Sequence, residues 1–245
     1  MGFKILQLSD PHTTASHRPL REVGAYLLRR PKEYDAIVLS GDLTQRGHAE
    51  ATGILIEDIE VLQRCAPVVG VKGNHDGHLS GVQVPGVSNE KVFAYKFAQL
   101  SIVALDSNPG QIDAEALTLL DSLLDDQPAF GHVLVMHHPP FPAAMPDLIR
   151  EDFDQCQEFA KVIEGRVRLI LSGHYHQISA GSVAGVPVWS APALSYQRCV
   201  TADLDVPDGW QESPRESSEF CVIDLGETDF QVAHVHLEPT NGGKK

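Results

Sequence analysis

Five short apolar runs in this chain each end at a residue type that binds metals. Phe3–Leu8 is followed by Ser9-Asp10-Pro11-His12, and Ala36–Ser40 by Gly41-Asp42. Pro67–Val71 leads into Gly73-Asn74-His75-Asp76. His132–Met136 leads into His137-His138-Pro139-Pro140, and Arg168–Leu171 into Gly173-His174-Tyr175-His176. Apolar runs of roughly 4–8 residues bounded by turn formers read as strands buried on both faces, as in a parallel sheet. Side chains at the carboxyl ends of such strands converge on one crevice. Strand alternation would point Asp10 with His12, and His174 with His176, in the same direction.

Segments of helical period separate the runs. Leu20–Arg30, Ala49–Arg64, Asp113–Asp125 and Glu151–Glu164 each repeat apolar residues one turn apart, with Asp113 as an N-cap. Val92–Phe97 and Ser101–Leu105 read as further strands. Beyond about residue 170 no long helix is expected, only strands such as Val186–Ser190, Phe220–Leu225 and Gln231–Leu237, with 203–218 a polar loop. A doubly wound sheet would keep adding helices, so the expected fold is an α/β four-layer αββα sandwich of two mixed sheets flanked by helices. No linker divides the chain, which predicts one domain over residues 1–240 and a frayed tail over 241–245.

The net charge is −14, which argues against a nucleic acid polymer or an anionic membrane as partner. The four cysteines lie far apart and read as reduced thiols rather than a zinc knuckle or a disulfide framework. The N-terminus meets a charged residue after one short apolar run, so no secretory signal is read there, and the cytoplasm is the expected compartment.

Asp10, His12, Asp42, Asn74, His137, His174 and His176 supply three oxygen donors and four imidazoles. One ion of coordination number four to six cannot use all seven and still accept a substrate. Two ions can, where one carboxylate bridges them at roughly 3.5–4 Å. Mixed nitrogen and oxygen donors suit divalent or mixed-valence Mn, Fe, Zn or Co and argue against calcium. Each motif alone is common: Asp-x-His is usually a surface pair, and Gly-Asp after a strand is usually a turn. All five in this order, each after an apolar run, are not common.

The set Asp10-x-His12, Gly41-Asp42, Gly73-Asn74-His75-Asp76, His137 and Gly173-His174-x-His176 resembles the calcineurin-like metallophosphoesterase superfamily. His137-His138-Pro139-Pro140, with Gly185-Val186-Pro187-Val188 and Ala191-Pro192-Ala193, resembles its class III cyclic nucleotide phosphodiesterases and glycerophosphodiesterases. The resemblance implies that Asp10, His12, Asp42 and His176 hold one metal. It implies that Asp42, Asn74, His137 and His174 hold the other, with Asp42 bridging. It places His75 outside the ligand set, beside the substrate phosphate, as a charge stabiliser or proton donor. The implied reaction is hydrolysis of small-molecule phosphodiesters, cyclic nucleotides or glycerophosphodiesters, by metal-activated hydroxide attack on phosphorus.

Departures from relatives refine this. Gln45 stands where protein phosphatases carry an acidic partner for their catalytic histidine; an amide orients an imidazole but cannot stabilise imidazolium by charge. Gly77–Lys91 is short for the cyclic nucleotide subgroup. His138, next to a ligand, is expected on a strand with its side chain turned away from the metals, supporting the ligands rather than binding an ion. His17, His48 and His78 lie in loops, His132, His234 and His236 read as structural, and Arg18 and Arg46 as solvated cations with a phosphate contact as the alternative. The competing functions are a broad-specificity phosphomonoesterase and a non-catalytic scaffold of the same fold. A homodimer is left open.

Overall fold

The computed structural model describes residues 2–30, 33–46, 48–108, 110–143, 157–200, 210–213 and 218–237. Apolar strands alternate with amphipathic helices through most of the chain. In order they are β1 (Phe3–Leu8), α1 (Pro19–Leu27), β2 (Ala36–Ser40), α2 (Thr52–Gln63), β3 (Val68–Val71), β4 (Val92–Lys96) and β5 (Ser101–Leu105). There follow α3 (Ala114–Leu123), β6 (His132–Val135), α4 (Gln157–Ile163), β7 (Val167–Ser172), β8 (Ser179–Val183) and β9 (Val186–Ser190). The last strands are β10 (Gln197–Val200), β11 (Trp210–Ser213), β12 (Ser218–Leu225) and β13 (Phe230–Leu237).

One sheet runs β13-β12-β1-β2-β3 and the other β4-β5-β6-β7-β9-β8. In the first, β1, β2 and β3 are parallel, and the β12–β13 hairpin is added antiparallel to β1. In the second, β5, β6, β7 and β9 are parallel, with β4 and β8 antiparallel at the edges. Buried residues such as Ile5, Val38 and Val69 meet Ile102, Val133 and Leu171 in the layer between the sheets. Outside the first sheet, α1 and α2 pack Leu20, Leu27, Leu55 and Ile59 onto Leu6 and Leu39. Outside the second, α3 and α4 pack Leu120 and Phe159 onto Leu134 and Ile170. Each such side chain contributes roughly 1.5–3 kcal/mol by leaving water. This is the expected αββα sandwich.

The expected helices shift at their ends for local reasons. Pro19, whose fixed φ suits a first helical position, starts α1. Backbone bonds from Arg29 and Arg30 to the carbonyls of Tyr26 and Leu27 tighten its end into short-range turns, so it stops before Arg30. Asp113 caps α3 as expected, accepting the Ala116 N–H at 2.8 Å. α4 begins within the expected 151–164 segment, whose first six residues lie outside the described ones, as does the 241–245 tail. The expected polar loop at 203–218 is corrected in part: Trp210–Ser213 is a strand that pairs antiparallel with Gln197–Val200. Alternation over four residues is too short a signal to reveal such a pair. No helix among the described residues is long and apolar enough to cross a membrane.

Candidate metal centre

The carboxyl ends of β1, β2, β3, β6 and β7 open at one end of the sandwich, and all seven expected donors gather there. The backbone turns sharply at that point. Six non-glycine residues among the described ones have positive φ, and five of them are Asp10 (47°), His12 (42°), Asp42 (48°), His174 (71°) and His176 (53°). Asp and His enter this left-handed region more readily than most residues, and such strain gathers at functional sites. The turns also correct one sequence argument. Asp10 with His12, and His174 with His176, reach the same crevice because left-handed turns past the strand ends redirect them, not because a strand alternates.

Glycines make the close approach possible. A Cβ at Gly73 would collide with the Asp42 side chain and amide, and one at Gly41 (φ 98°) with the His137 ring. The glycine of each Gly-Asp and Gly-Asn motif is therefore a packing requirement of its neighbour.

The donors form two clusters that share Asp42. In one, His176 Nε2 lies 3.3 Å from Asp10 Oδ1 and 3.1 Å from His12 Nε2, and His12 Nε2 lies 3.6 Å from Asp42 Oδ2. In the other, His137 Nε2 lies 3.5 Å from Asp42 Oδ1, 3.0 Å from Asn74 Oδ1 and 3.3 Å from His174 Nδ1. Each oxygen of Asp42 thus faces a different cluster.

The hydrogen bonds behind the rings fix which nitrogens face inward. His12 Nδ1 meets Gln45 Oε1 at 2.7 Å, His137 Nδ1 the Ser40 carbonyl at 2.9 Å, and His176 Nδ1 the Tyr196 carbonyl at 2.9 Å. Those oxygens only accept, so each Nδ1 carries a proton, and whenever the ring is neutral its lone pair turns inward from Nε2. At His12 and His176 two such lone pairs face one another at 3.1 Å. Neutral rings so placed repel, and a cation between them removes the repulsion. Backing each ligand histidine with an acceptor is also how proteins orient metal ligands. The donor set fits transition-metal ions.

Charges follow the same logic. Burial works to raise Asp10 and Asp42, but the surrounding histidines, His176 for Asp10 and His137 for Asp42, outweigh it and hold both carboxyls well below the usual range. Burial lowers His12 to about 4 despite Asp42. Burial would also lower His137, yet Asp42 and Asp10 push it up to about 9.

His75 lies at the edge of both clusters. Its Nε2 is 3.9 Å from Asp42 Oδ2, and its backbone N–H donates to Asp42 Oδ1 at 2.8 Å. Its Nδ1 meets Gln45 Oε1 at 2.9 Å, so one amide oxygen orients both His12 and His75. Burial lowers its pKa, Asp42 opposes that, and Arg46 adds to it. The sequence pointed to Gln45 beside His75 but not to its second contact.

Several other placements went unforeseen. His138 is not on a strand facing away: β6 ends at Val135, and the His138 ring packs on His174 with centroids 4.5 Å apart and meets Ser107 Oγ at 3.0 Å. Burial, with His137 and His174 beside it, drives its pKa down to about 2. Asp76, quoted in the motif without a role, is a buried clamp. It accepts from the backbone N–H groups of Gly73, Leu43 and Thr44 and from Thr44 Oγ1, tying the turn after β3 to the turn after β2. Arg18 is not a free solvated cation: half-buried, it pairs with the fully buried Asp58 at 2.6 Å and with Glu57 at 3.1 Å. His48 pairs with Glu50, and His78 meets Thr44 Oγ1 at 3.3 Å.

Two sheets whose parallel strand ends deliver a shared carboxylate, imidazoles and an amide to one crevice define a metal-dependent phosphoesterase. The model of the calcineurin-like phosphoesterases matches residues 3–178, and the chain belongs to that family. It is 29% identical over 240 residues to a probable cyclic nucleotide phosphodiesterase of Rhodococcus erythropolis, covering 89% of this chain and 77% of the relative. It is 29% identical over 233 residues to the 3′,5′-cyclic adenosine monophosphate phosphodiesterase CpdA of Escherichia coli K12, covering 85% and 83%. Among solved structures, the purple acid phosphatase PPD1 of yellow lupin seeds superposes with a TM-score of 0.67 at 12% identity. That match covers 96% of this chain but only 52% of the plant enzyme, and it speaks to the fold.

Proposed function

We propose that the chain is a dinuclear phosphodiesterase of small molecules, with cyclic nucleotides and glycerophosphodiesters as its substrate class. The observation that carries the reading is Asp42, whose two oxygens face two histidine clusters. Asp10, His12, Asp42 and His176 would hold one ion; Asp42, Asn74, His137 and His174 would hold the other, both drawn from Mn, Fe, Zn or Co. When bound, the ions would supply charge for the phosphoryl oxygens and acidify water toward ionisation at neutral pH.

The chain's own residues supply positioning and proton control. Gln45 holds the Nδ1 proton of His75 and leaves Nε2 facing the crevice beside Asp42. Only the imidazolium form presents a donor at Nε2, to a phosphate oxygen or to the leaving oxygen. Gln45 brings no charge to support that form, so His75 is a modest acid. It favours leaving groups that depart with little help, and rings whose opening relieves strain.

Charge supports a diester over a monoester. A diester monoanion needs less positive charge than a monoester dianion. Of the three cations nearest the motifs in sequence, Arg18 is engaged by Asp58 and Lys72 donates to Asn89 at 2.8 Å. Arg46 alone lies exposed beside His75 and Asn74. A cavity of about 350 Å³ opens next to Asn74 between Lys72, Ser80, Asp106 and Asn108, a volume that suits a small organic moiety beside the phosphate. The names of the relatives point to the same class. One domain over residues 1–240 and a cytoplasmic compartment belong to this reading, and the free thiols of Cys65 and Cys221 agree with a reducing compartment.

The test is kcat/KM, at saturating Mn, for 3′,5′- and 2′,3′-cyclic nucleotides and bis(4-nitrophenyl) phosphate against the matching monoesters. Higher values for the diesters are expected. A clear preference for monoesters would move the protein to the phosphomonoesterase reading.

A further inference from the structure

A second group of metal-binding side chains lies outside the crevice, on the β12–β13 hairpin. The antiparallel register sets Glu219 directly opposite His236. Strand alternation places His234 on the same face, two residues before His236. That face is the one that carries Cys221, the partner of His234 in the ladder, into the core between the sheets.

The three side chains meet at one point. His234 Nε2 lies 3.1 Å from Glu219 Oε2, and His236 Nδ1 lies 3.3 Å from Glu219 Oε1. The two rings stand 4.3 Å apart between centroids, and donor atoms of all three residues lie within 4.8 Å of one another. The side chains of Glu219 and His234 are 20% and 26% exposed, that of His236 58%. The floor of the cluster is thus held by the sheet while its roof is open to solvent.

Two imidazoles and a carboxylate are the protein donors of an open zinc site, with a fourth position left for water. At Zn–N and Zn–O lengths of roughly 2.0–2.2 Å, neighbouring donors of a tetrahedron stand about 3.3–3.6 Å apart. The two histidine–carboxylate distances are close to that spacing before any ion is added. A nitrogen-rich set of this kind selects Zn, Cu or Ni over Mg or Ca. We propose that Glu219, His234 and His236 form a peripheral transition-metal site of the zinc class, separate from the catalytic crevice. Its place in the fold gives it a mechanical role. Among the described residues, β13 is the edge strand of its sheet and pairs there only with β12. An ion held by both strands fastens that edge to its neighbour.

The test is zinc stoichiometry by equilibrium dialysis on the full chain. The variants are His234→Ala with His236→Ala, Glu219→Gln, and Asp42→Ala, each checked for folding by circular dichroism. The double histidine variant is expected to hold one zinc fewer per chain than wild type, with unchanged turnover when loaded with Mn. Asp42→Ala is expected to keep the hairpin ion, and zinc should still raise its Tm. Adding the double histidine change to Asp42→Ala should remove one further zinc per chain and reduce that shift. Glu219→Gln, which keeps both rings, guards against a folding defect and should weaken the hairpin ion at least tenfold. Equal zinc content in wild type and in both hairpin variants would overturn the proposal, as would an equal zinc content in Asp42→Ala with and without the double histidine change. The outcome is independent of the crevice: a failure of the dinuclear reading changes what Asp42→Ala loses and leaves the hairpin difference intact.

Discussion

Gln45→Ala removes one oxygen that orients two histidines with separate duties. Its Oε1 stands 2.7 Å from His12 Nδ1 and 2.9 Å from His75 Nδ1. A neutral hydrogen bond contributes about 0.5–1.5 kcal/mol net, so the pair together is worth about 1–3 kcal/mol, roughly 5- to 150-fold in an equilibrium or a rate. The two halves appear in different measurements. Freed from its acceptor, His12 can rotate or shift its proton to Nε2, which closes the lone pair a metal needs; removing such a backing group costs about 10–100-fold in metal affinity. Freed from the same acceptor, His75 loses its aim, which lowers kcat at saturating metal by up to about tenfold. The assay is Mn binding by equilibrium dialysis, followed by kcat measured at full occupancy. Gln45→Glu is the companion variant. A carboxylate against His75 Nδ1 raises the imidazole pKa, which extends the pH range of the acid form upward and improves turnover of esters with poor leaving groups. If folded Gln45→Ala binds Mn as wild type does and keeps its kcat, the shared-acceptor reasoning is wrong.

Asp42→Ala should lose more metal than His12→Ala, because Asp42 faces both clusters and His12 one; full occupancy of Asp42→Ala by elemental analysis would contradict this. His75→Ala should keep metals and fold while losing about 10²–10⁴ in rate, and loss of its metals would make His75 a ligand. Metal binding should release a proton from His137, whose pKa is raised from 6.5 to about 9 in the ion-free protein. The sign follows from the raised value: the stability that protonated His137 gives the ion-free protein is complete below pH 6.5 and is lost as pH rises through about 9. The metal-loaded protein should not show that loss, which thermal melts across this pH range, with and without chelator, would display; calorimetry in buffers of different ionisation enthalpy counts the proton directly.

The residue types that meet at the crevice were legible in the sequence because local patterns carry them. An apolar run sets a strand, its end sets a turn, and Asp, Asn or His at each of five strand ends names the chemistry. The two mixed sheets and their flanking helices were legible for the same reason, since period and run length are local properties. Most partners of those residues were not. Beyond its expected place beside His75, Gln45 also reaches His12, Asp76 clamps two turns, and the Ser40 and Tyr196 carbonyls set ring protons. All of these are contacts between segments distant in the chain, and carbonyl acceptors leave no trace in side-chain identity. His138 does support a ligand, but from a turn: the strand stops earlier than its apolar run suggests, so the ring packs on His174 rather than facing away. The left-handed turns at Asp10, His12, Asp42, His174 and His176 belong to the fold as a whole: only packing of the full sandwich holds five non-glycine residues there, and that packing aims them at one point.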